Sequence, residues 1–220
     1  MTIGRSGWAL AVAAILAAGA CGSSDNQYVK DSDAGSYIRV PNQWEIFGED
    51  AFWNSASLNL TEFQKDRQRP RTNVWVFDRA EKPSVEHAFQ ALLEQPVGVL
   101  RIVNSNPDEI DTLSPRLLRN QFHEIDAGVT QGGWPLHTIE TLDGDGFRGE
   151  RVVVDIPAGS AVEGDAAVND GSYLTWDQTV YMKDDASKAY FLTFSCEAHC
   201  YEQYKGEIED IIDSWKVQQR

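Results

Sequence analysis

The segment KAYFLTFSCEAHCYEQYKGEIEDIIDSWKV, residues 188–217, contains both kinds of element from which the fold is built. Its first part, KAYFLTFSC, is rich in β-branched and aromatic residues, which is typical of a strand. Its second part repeats large apolar residues at helical spacing, so one stripe of a helix can pack on a sheet. That stripe consists of Tyr204, Ile208, Ile211, Ile212 and Trp215. We therefore expect a strand that leads directly into a helix lying across a sheet.

More strand-like runs precede this segment, and turn residues separate them. They are SYIRVPNQWEIF (36–47, two short strands around Pro41-Asn42), NVWVFDR (73–79), VGVLRIVN (97–104), LHTIETL (136–142), FRGERVVVDIP (147–157) and YLTWDQTVYMKD (173–184). The last three, followed by the strand at 188–196, are spaced like consecutive strands of an antiparallel meander.

Two further segments have helical spacing. In residues 82–96, Ser84 can cap a helix whose apolar face would include Val85, Ala88 and Phe89. In residues 112–128, Ser114 can cap, Pro115 can occupy the first helical position, and Gly128 can end the helix. The predicted class is therefore α+β, an antiparallel sheet with a C-terminal meander and helices packed on it.

The first residues of the chain predict a secretory signal peptide. One basic residue, Arg5, precedes an apolar run at 8–20 that is shorter than the roughly 20 residues needed to span a bilayer. Residues 1–20 end in small side chains directly before Cys21, which resembles a bacterial lipobox, although Ala18 stands where leucine is usual. The alternative is an ordinary cleaved signal with a cysteine nearby by chance. We interpret Cys21 as a lipidation site, where two acyl chains anchor the protein.

This interpretation places the protein on the extracytoplasmic face of a bacterial cell membrane. Residues 21–35 are small and polar and are expected to form a flexible tether. Residues 36–220 are expected to form a single domain, because no internal repeat or second linker divides them and the chain is 42% hydrophobic. Without residues 1–20 the chain has 18 basic and 34 acidic side chains, a formal charge of −16. Such a chain is a poor partner for nucleic acid or anionic headgroups.

Cys196, His199 and Cys200 lie close enough in sequence to suggest a metal site. A tetrahedral zinc site needs four ligands, and the sequence has no second cysteine or histidine pair at suitable spacing. Outside the cytosol disulfides persist, and residues four apart on a helical path are near enough to be bridged. We expect a Cys196–Cys200 disulfide, with a redox-active pair or a metal site as the alternatives.

Other motif matches do not support a catalytic site. GDGFRG (144–149) fits a dinucleotide-binding pattern, but a strand follows it instead of a helix, so a hairpin turn with glycine at positive φ is expected. HEIDA (123–127) lacks the second histidine of a zinc-protease helix. The sequence suggests no catalytic residue, no metal ligand set and no cofactor. Trp53 and Trp134 lie in irregular segments and are candidate ligand-binding residues, with packing over the sheet as the alternative.

The order of elements, with YIRVPNQWEIF (37–47) at the start and IIDSWKV (211–217) at the end, resembles the PsbP-like fold. Extrinsic photosystem proteins, Ran-binding Mog proteins and LpqN-type actinobacterial lipoproteins share that fold. The resemblance implies a non-enzymatic accessory or binding role for an envelope protein or a hydrophobic ligand. The alternative is a secreted hydrolase whose catalytic residues are dispersed in the sequence. The sequence leaves the identity of the ligand or partner open.

Overall fold

The structure is a computed structural model that describes residues 25–90, 93–108, 110–161 and 171–218. The expected signal peptide (1–20) and the expected lipidation site, Cys21, lie outside these residues. Among the helices of the described part, none is both long enough and apolar enough to cross a membrane.

A seven-stranded antiparallel sheet forms the centre of the molecule, with strand order β3-β4-β5-β9-β8-β7-β6. Its strands are β3 (Glu45–Phe47), β4 (Thr72–Asp78), β5 (Val97–Asn104), β6 (Leu136–Gly144), β7 (Phe147–Pro157), β8 (Tyr173–Lys183) and β9 (Lys188–Glu197). The expected meander is confirmed, since β6 to β9 pair in sequence order. Gly146 has a φ of 80° in the turn between β6 and β7, so GDGFRG forms the expected hairpin.

A second, three-stranded sheet consists of β1 (Asn26–Asp31), β2 (Ser36–Pro41) and β10 (Lys216–Val217). We expected a flexible tether over residues 21–35, but six residues of that segment pair with β2 along its whole length. Val29 is buried, and the backbone N–H of Ala34 donates to the Asp31 carboxylate at 2.8 Å. The folded domain therefore begins about ten residues earlier than expected.

The helix α6 (Ala198–Ser214) lies between the two sheets. It covers one face of the large sheet, which we call the back face and which includes Leu100 of β5 and Leu192 of β9. Ile208 and Ile211 of α6 are buried there with Ile38 of β2, so the apolar stripe packs as expected. This buried cluster is the largest part of the core and joins the two sheets.

The remaining helices are short, and several of them cover the opposite face, which we call the front face. They are α1 (Glu49–Trp53), α2 (Glu62–Gln68), the 3-10 helices Arg69–Arg71, Val85–Phe89 and Ile110–Thr112, α3 (Pro115–Arg119), α4 (Ile125–Thr130) and α5 (Ala158–Ala161). Apolar side chains of α1, α3, α4 and the 3-10 helices Val85–Phe89 and Ile110–Thr112 form three separate clusters on the sheet.

The prediction of a helix at residues 82–96 is wrong. Ser84 caps as expected, accepting from the Glu86 N–H at 3.2 Å, but the described residues of this segment form only the 3-10 helix Val85–Phe89, and Gln90 is extended. A helix of about a dozen residues is marginal by itself. Here Phe89 packs against Phe52, with ring centroids 5.3 Å apart, and the Leu93 carbonyl accepts from the Glu197 N–H, so tertiary contacts direct the chain onto the sheet.

The prediction of a single helix at residues 112–128 is also wrong, because the segment forms two helices, α3 and α4. The Ser114 hydroxyl caps α3 as expected, but the helix ends at Arg119, and Gly128 lies inside α4. Phe122, in the connection, packs on the ring of Phe191 with centroids 5.4 Å apart. The break allows this ring to reach the sheet, and a pair of Arg119 with Asp126 joins the two helices across it.

Candidate functional site

The front face carries a cavity over the central strands. Residues directly opposite each other in an antiparallel pair lie on the same face. The register pairs Val97 with Ser195 and Ser195 with Trp176, and it pairs Val99 with Thr193. These five side chains therefore form the floor of one groove across β5, β9 and β8.

The cavity has a volume of about 330 Å³, at the small end of the range of roughly 300 to 1,000 Å³ typical of ligand pockets. Most of its surface is apolar. Its described lining residues are Phe52, Trp53, Leu58, Asn59, Leu60, Gln68, Ala88, Phe89, Val97, Val99, Arg101, Phe122, Trp176, Thr193 and Ser195. This list contains no histidine and no carboxylate, and Arg101 is its one charged residue.

Hydrogen bonds fix the wall that α1 and the 3-10 helix Val85–Phe89 form. The Glu86 carboxylate accepts from the Ser55 hydroxyl at 2.7 Å and from the Ser57 N–H at 3.1 Å. Hydrogen bonds from Ser57 and Ser55 lower the pKa of Glu86, so the carboxylate stays charged and keeps these bonds at neutral pH. Phe52 and Phe89 are thereby held at the edge of the cavity.

Arg101 is an unusual residue for the middle of an apolar strand. Its guanidinium carbon lies 5.0 Å from the centroid of the Phe122 ring. Its Nε has no accessible surface and no hydrogen-bond partner, and among the described residues no carboxylate forms an ion pair with it. Burial lowers the pKa of Arg101 to about 10, which still leaves it protonated at neutral pH. The cavity therefore contains a cation that is not neutralised by a described side chain.

The two candidate tryptophans have different positions. Trp53 lines the cavity, is 2% exposed, and its indole N–H is buried without a partner. Trp134 instead packs on Gly128 of α4, beside the cluster of Val152 and Val154, and does not line the cavity. Sequence reasoning missed Trp176 and Arg101. The alternation in VGVLRIVN was the available signal for Arg101, because it places that residue on the same face as Val97 and Val99.

A second, polar cavity of about 270 Å³ lies on the back face beside α6 and brings together His137, Asp155 and Thr175. The Thr175 hydroxyl donates to Asp155 at 2.7 Å, and His137 Nε2 lies 2.8 Å from the other oxygen of the same carboxylate. In a nucleophile–base–acid triad the histidine contacts the hydroxyl. Here the carboxylate stands between them, so the histidine cannot take the hydroxyl proton.

Cys196 and Cys200 are joined by a disulfide, which is the pairing that the sequence analysis favoured. Both residues are fully buried, and their Cα atoms are 6.0 Å apart. His199 is exposed and pairs with Glu197 at 3.2 Å. Within the described ranges, no group of three or more histidine, cysteine, aspartate or glutamate residues could hold a metal ion.

Comparison with solved structures identifies the fold as PsbP-like. The cyanobacterial PsbP (CyanoP) of Synechocystis sp. PCC 6803 has a TM-score of 0.50 and 15% identity, over 91% of this chain and 96% of the other. The Ran-binding protein Mog1p of Saccharomyces cerevisiae has a TM-score of 0.44 and 9% identity, over 87% and 95%. No protein-family model matches the chain, and no curated protein matches it. The chain is thus an α+β protein of the PsbP-like fold.

Proposed function

We propose that the protein is a non-enzymatic binding domain of the bacterial cell envelope that holds an apolar ligand, or an apolar part of an envelope protein, in its front cavity. The observation that carries this proposal is the chemistry of the cavity lining. Apolar walls with a few placed polar groups are typical of ligand pockets. The described lining residues offer no histidine or carboxylate for acid–base catalysis, which disfavours the alternative of a secreted hydrolase at this site.

We further propose that Cys21 carries the lipid anchor and holds the domain at the membrane as an LpqN-type lipoprotein. The support is the sequence alone: an apolar run with small residues directly before Cys21, followed by a polar tract. Two acyl chains are enough for stable attachment, so the domain does not need to insert into the bilayer.

Binding can be tested with the uncharged fluorophore N-phenyl-1-naphthylamine and the full-length chain carrying Cys21→Ser, which leaves every described residue unchanged. We expect saturable one-to-one binding with increased emission. Ala88→Trp should abolish it by filling the cavity, because Ala88 lines the wall. The matched control is Ala56→Trp, which adds the same ring at an exposed position outside the lining. Equal binding by both variants, or no saturable binding at all, would contradict the proposal.

The anchor can be tested by intact-protein mass spectrometry of membrane fractions from a bacterial host. We expect a chain cleaved before Cys21 and acylated on it, with two further hydrogens missing until the Cys196–Cys200 disulfide is reduced. An unmodified Cys21 in a soluble fraction would overturn the anchor and leave the binding proposal to be judged by the fluorophore.

A further inference from the structure

We propose that the front cavity selects a medium-chain fatty acid, and that Arg101 binds its carboxylate while the apolar walls take its chain. This inference rests on the proposed function of the same cavity and specifies its ligand. It follows from the position of the cation, the shape of the groove and the polar atoms that lack partners.

The unpaired cation is the first argument. A buried charge is costly unless it is paired or hydrogen-bonded. Arg101 has five N–H donors; its Nε is buried without an acceptor, and its guanidinium lies over the Phe122 ring. A ring face attracts the charge but accepts no conventional hydrogen bond. A ligand carboxylate would supply both the negative charge and two acceptors in the geometry that a guanidinium prefers.

The two ends of the groove differ in polarity, as the two ends of an amphiphile do. Arg101 and Val97 are four residues apart on β5, which places them about 13 Å apart along the strand. The end near Val97 belongs to the apolar cluster with Phe52 and Trp53, whereas Arg101 and Phe122 mark the other end. A head group at Arg101 would therefore leave its chain running along β5 toward the apolar cluster.

A second unpartnered donor lies in the lining. The indole N–H of Trp53 is buried without a hydrogen-bond partner, although buried polar groups are nearly always paired. Thr193 and Ser195 add two hydroxyl groups on the floor. Carboxylate oxygens have room for several donors, so one small anionic head group can satisfy more than one of these groups.

The charge of the whole chain disfavours anion binding, so a cation inside the cavity is important for such a ligand. The formal charge is −15, so the surface as a whole repels anions. Salt screens exposed charges beyond about 8 Å at physiological ionic strength, but it screens a buried pair much less. The affinity for an anion inside the cavity therefore depends on the nearby Arg101 charge and not on the distant acidic residues.

Decanoate and 1-decanol form a matched pair of probes, because they share the chain length and differ in the charged head. We would titrate each by isothermal calorimetry into the full-length chain carrying Cys21→Ser. We expect decanoate to bind at least tenfold more tightly than 1-decanol. Arg101→Gln should weaken the binding of decanoate about 10- to 100-fold, as expected for the loss of charge-assisted hydrogen bonds. The affinity for 1-decanol should not change.

Arg148→Gln is the control, since it removes the same charge from an exposed position of β7 outside the cavity, and it should leave both affinities unchanged. Thermal unfolding provides a second readout. Arg101→Gln should not lower Tm, because it removes a partly buried charge that forms no ion pair with a described carboxylate. A lower Tm with unchanged decanoate affinity would show that Arg101 acts in folding and would overturn the inference.

The outcomes separate this inference from the proposed function. Equal affinity for decanoate and 1-decanol, unchanged by Arg101→Gln, would overturn the fatty-acid inference but leave an apolar binding cavity. Failure of both probes while N-phenyl-1-naphthylamine still binds would also overturn it and would favour a different occupant, such as an apolar segment of a partner. If all three probes fail to bind, both proposals fall.

Discussion

At the scale of single residues, buried polar groups under α6 are arranged as a closed network. Asp177 is fully buried and accepts from Arg151 at 3.0 and 2.8 Å and from the Tyr201 hydroxyl at 2.7 Å. Burial and the neighbouring Asp177 charge raise the pKa of Tyr201, so its hydroxyl remains a donor at physiological pH. These bonds connect β7, β8 and α6 through one carboxylate.

Asp177→Asn tests this network. The change keeps the shape of the side chain but leaves the Arg151 charge without its counter-ion, which is expected to lower the free energy of unfolding by about 3 kcal/mol. Urea denaturation followed by circular dichroism measures the loss. The control is Glu62→Gln, which neutralises an exposed carboxylate that pairs with Lys65 one helical turn away and should change stability by less than about 0.5 kcal/mol. Equal effects of the two changes would contradict the role of the network.

The disulfide acts at the junction of β9 and α6. Replacing both Cys196 and Cys200 with alanine should lower the free energy of unfolding by about 2 kcal/mol, because the closed loop is short and the cross-link removes little unfolded-state entropy. Denaturation of the parent chain with reductant should show a similar loss, and the double variant should not respond to reductant. A response of the variant to reductant would point to a different origin of the effect.

At the scale of elements, one substitution should have opposite effects in two helices. Alanine normally stabilises a helix by up to about 1 kcal/mol relative to glycine. Gly206 in α6 has free space around it, so Gly206→Ala should stabilise the protein. In α4, a Cβ on Gly128 would lie 2.2 Å from Cε3 of Trp134, so Gly128→Ala should destabilise it. Thermal unfolding of the two variants gives the signs, and a gain in Tm for both would show that Trp134 can move away.

The strands and the closing helix could be predicted because local sequence and tertiary environment agree there. In FLTFSC and in IEDIIDSW the apolar period alone indicates which face is buried. The short helices could not be predicted in the same way. Ser84 and Ser114 do cap helices, but the contacts of Phe89 and Phe122 with distant rings decide where those helices end. Such contacts depend on the fold and have no local signature.

The candidate site was predictable only in part. Trp53 was named from its irregular surroundings and does line the cavity. Trp134 was named for the same reason and packs elsewhere, so an irregular segment does not distinguish packing from binding. The floor of the cavity depends on the register of β5 with β9 and of β9 with β8, which no single segment encodes.

At the scale of the whole molecule, strand β1 extends the folded domain toward the N-terminus. A chain that begins at residue 25 retains all six pairs of β1 with β2, whereas one that begins at Ser36 loses them together with buried Val29. We expect the shorter chain to unfold at lower urea concentration, because β2 becomes an edge strand and loses apolar contacts. Identical midpoints for the two chains would show that residues 25–35 contribute no stability.

The difference between the two faces of the large sheet has a consequence for motion. The 17-residue helix α6 covers the back face as one unit, but the front face is covered by elements of three to seven residues, whose apolar side chains form three small clusters. Local opening requires less free energy where fewer buried contacts are broken together. Amide hydrogens of α1 and α3 should therefore exchange with solvent deuterium well before those of β5, β8 and β9. A ligand of the proposed kind could then enter and leave the cavity when the short elements of the front face open locally, while the sheet stays folded.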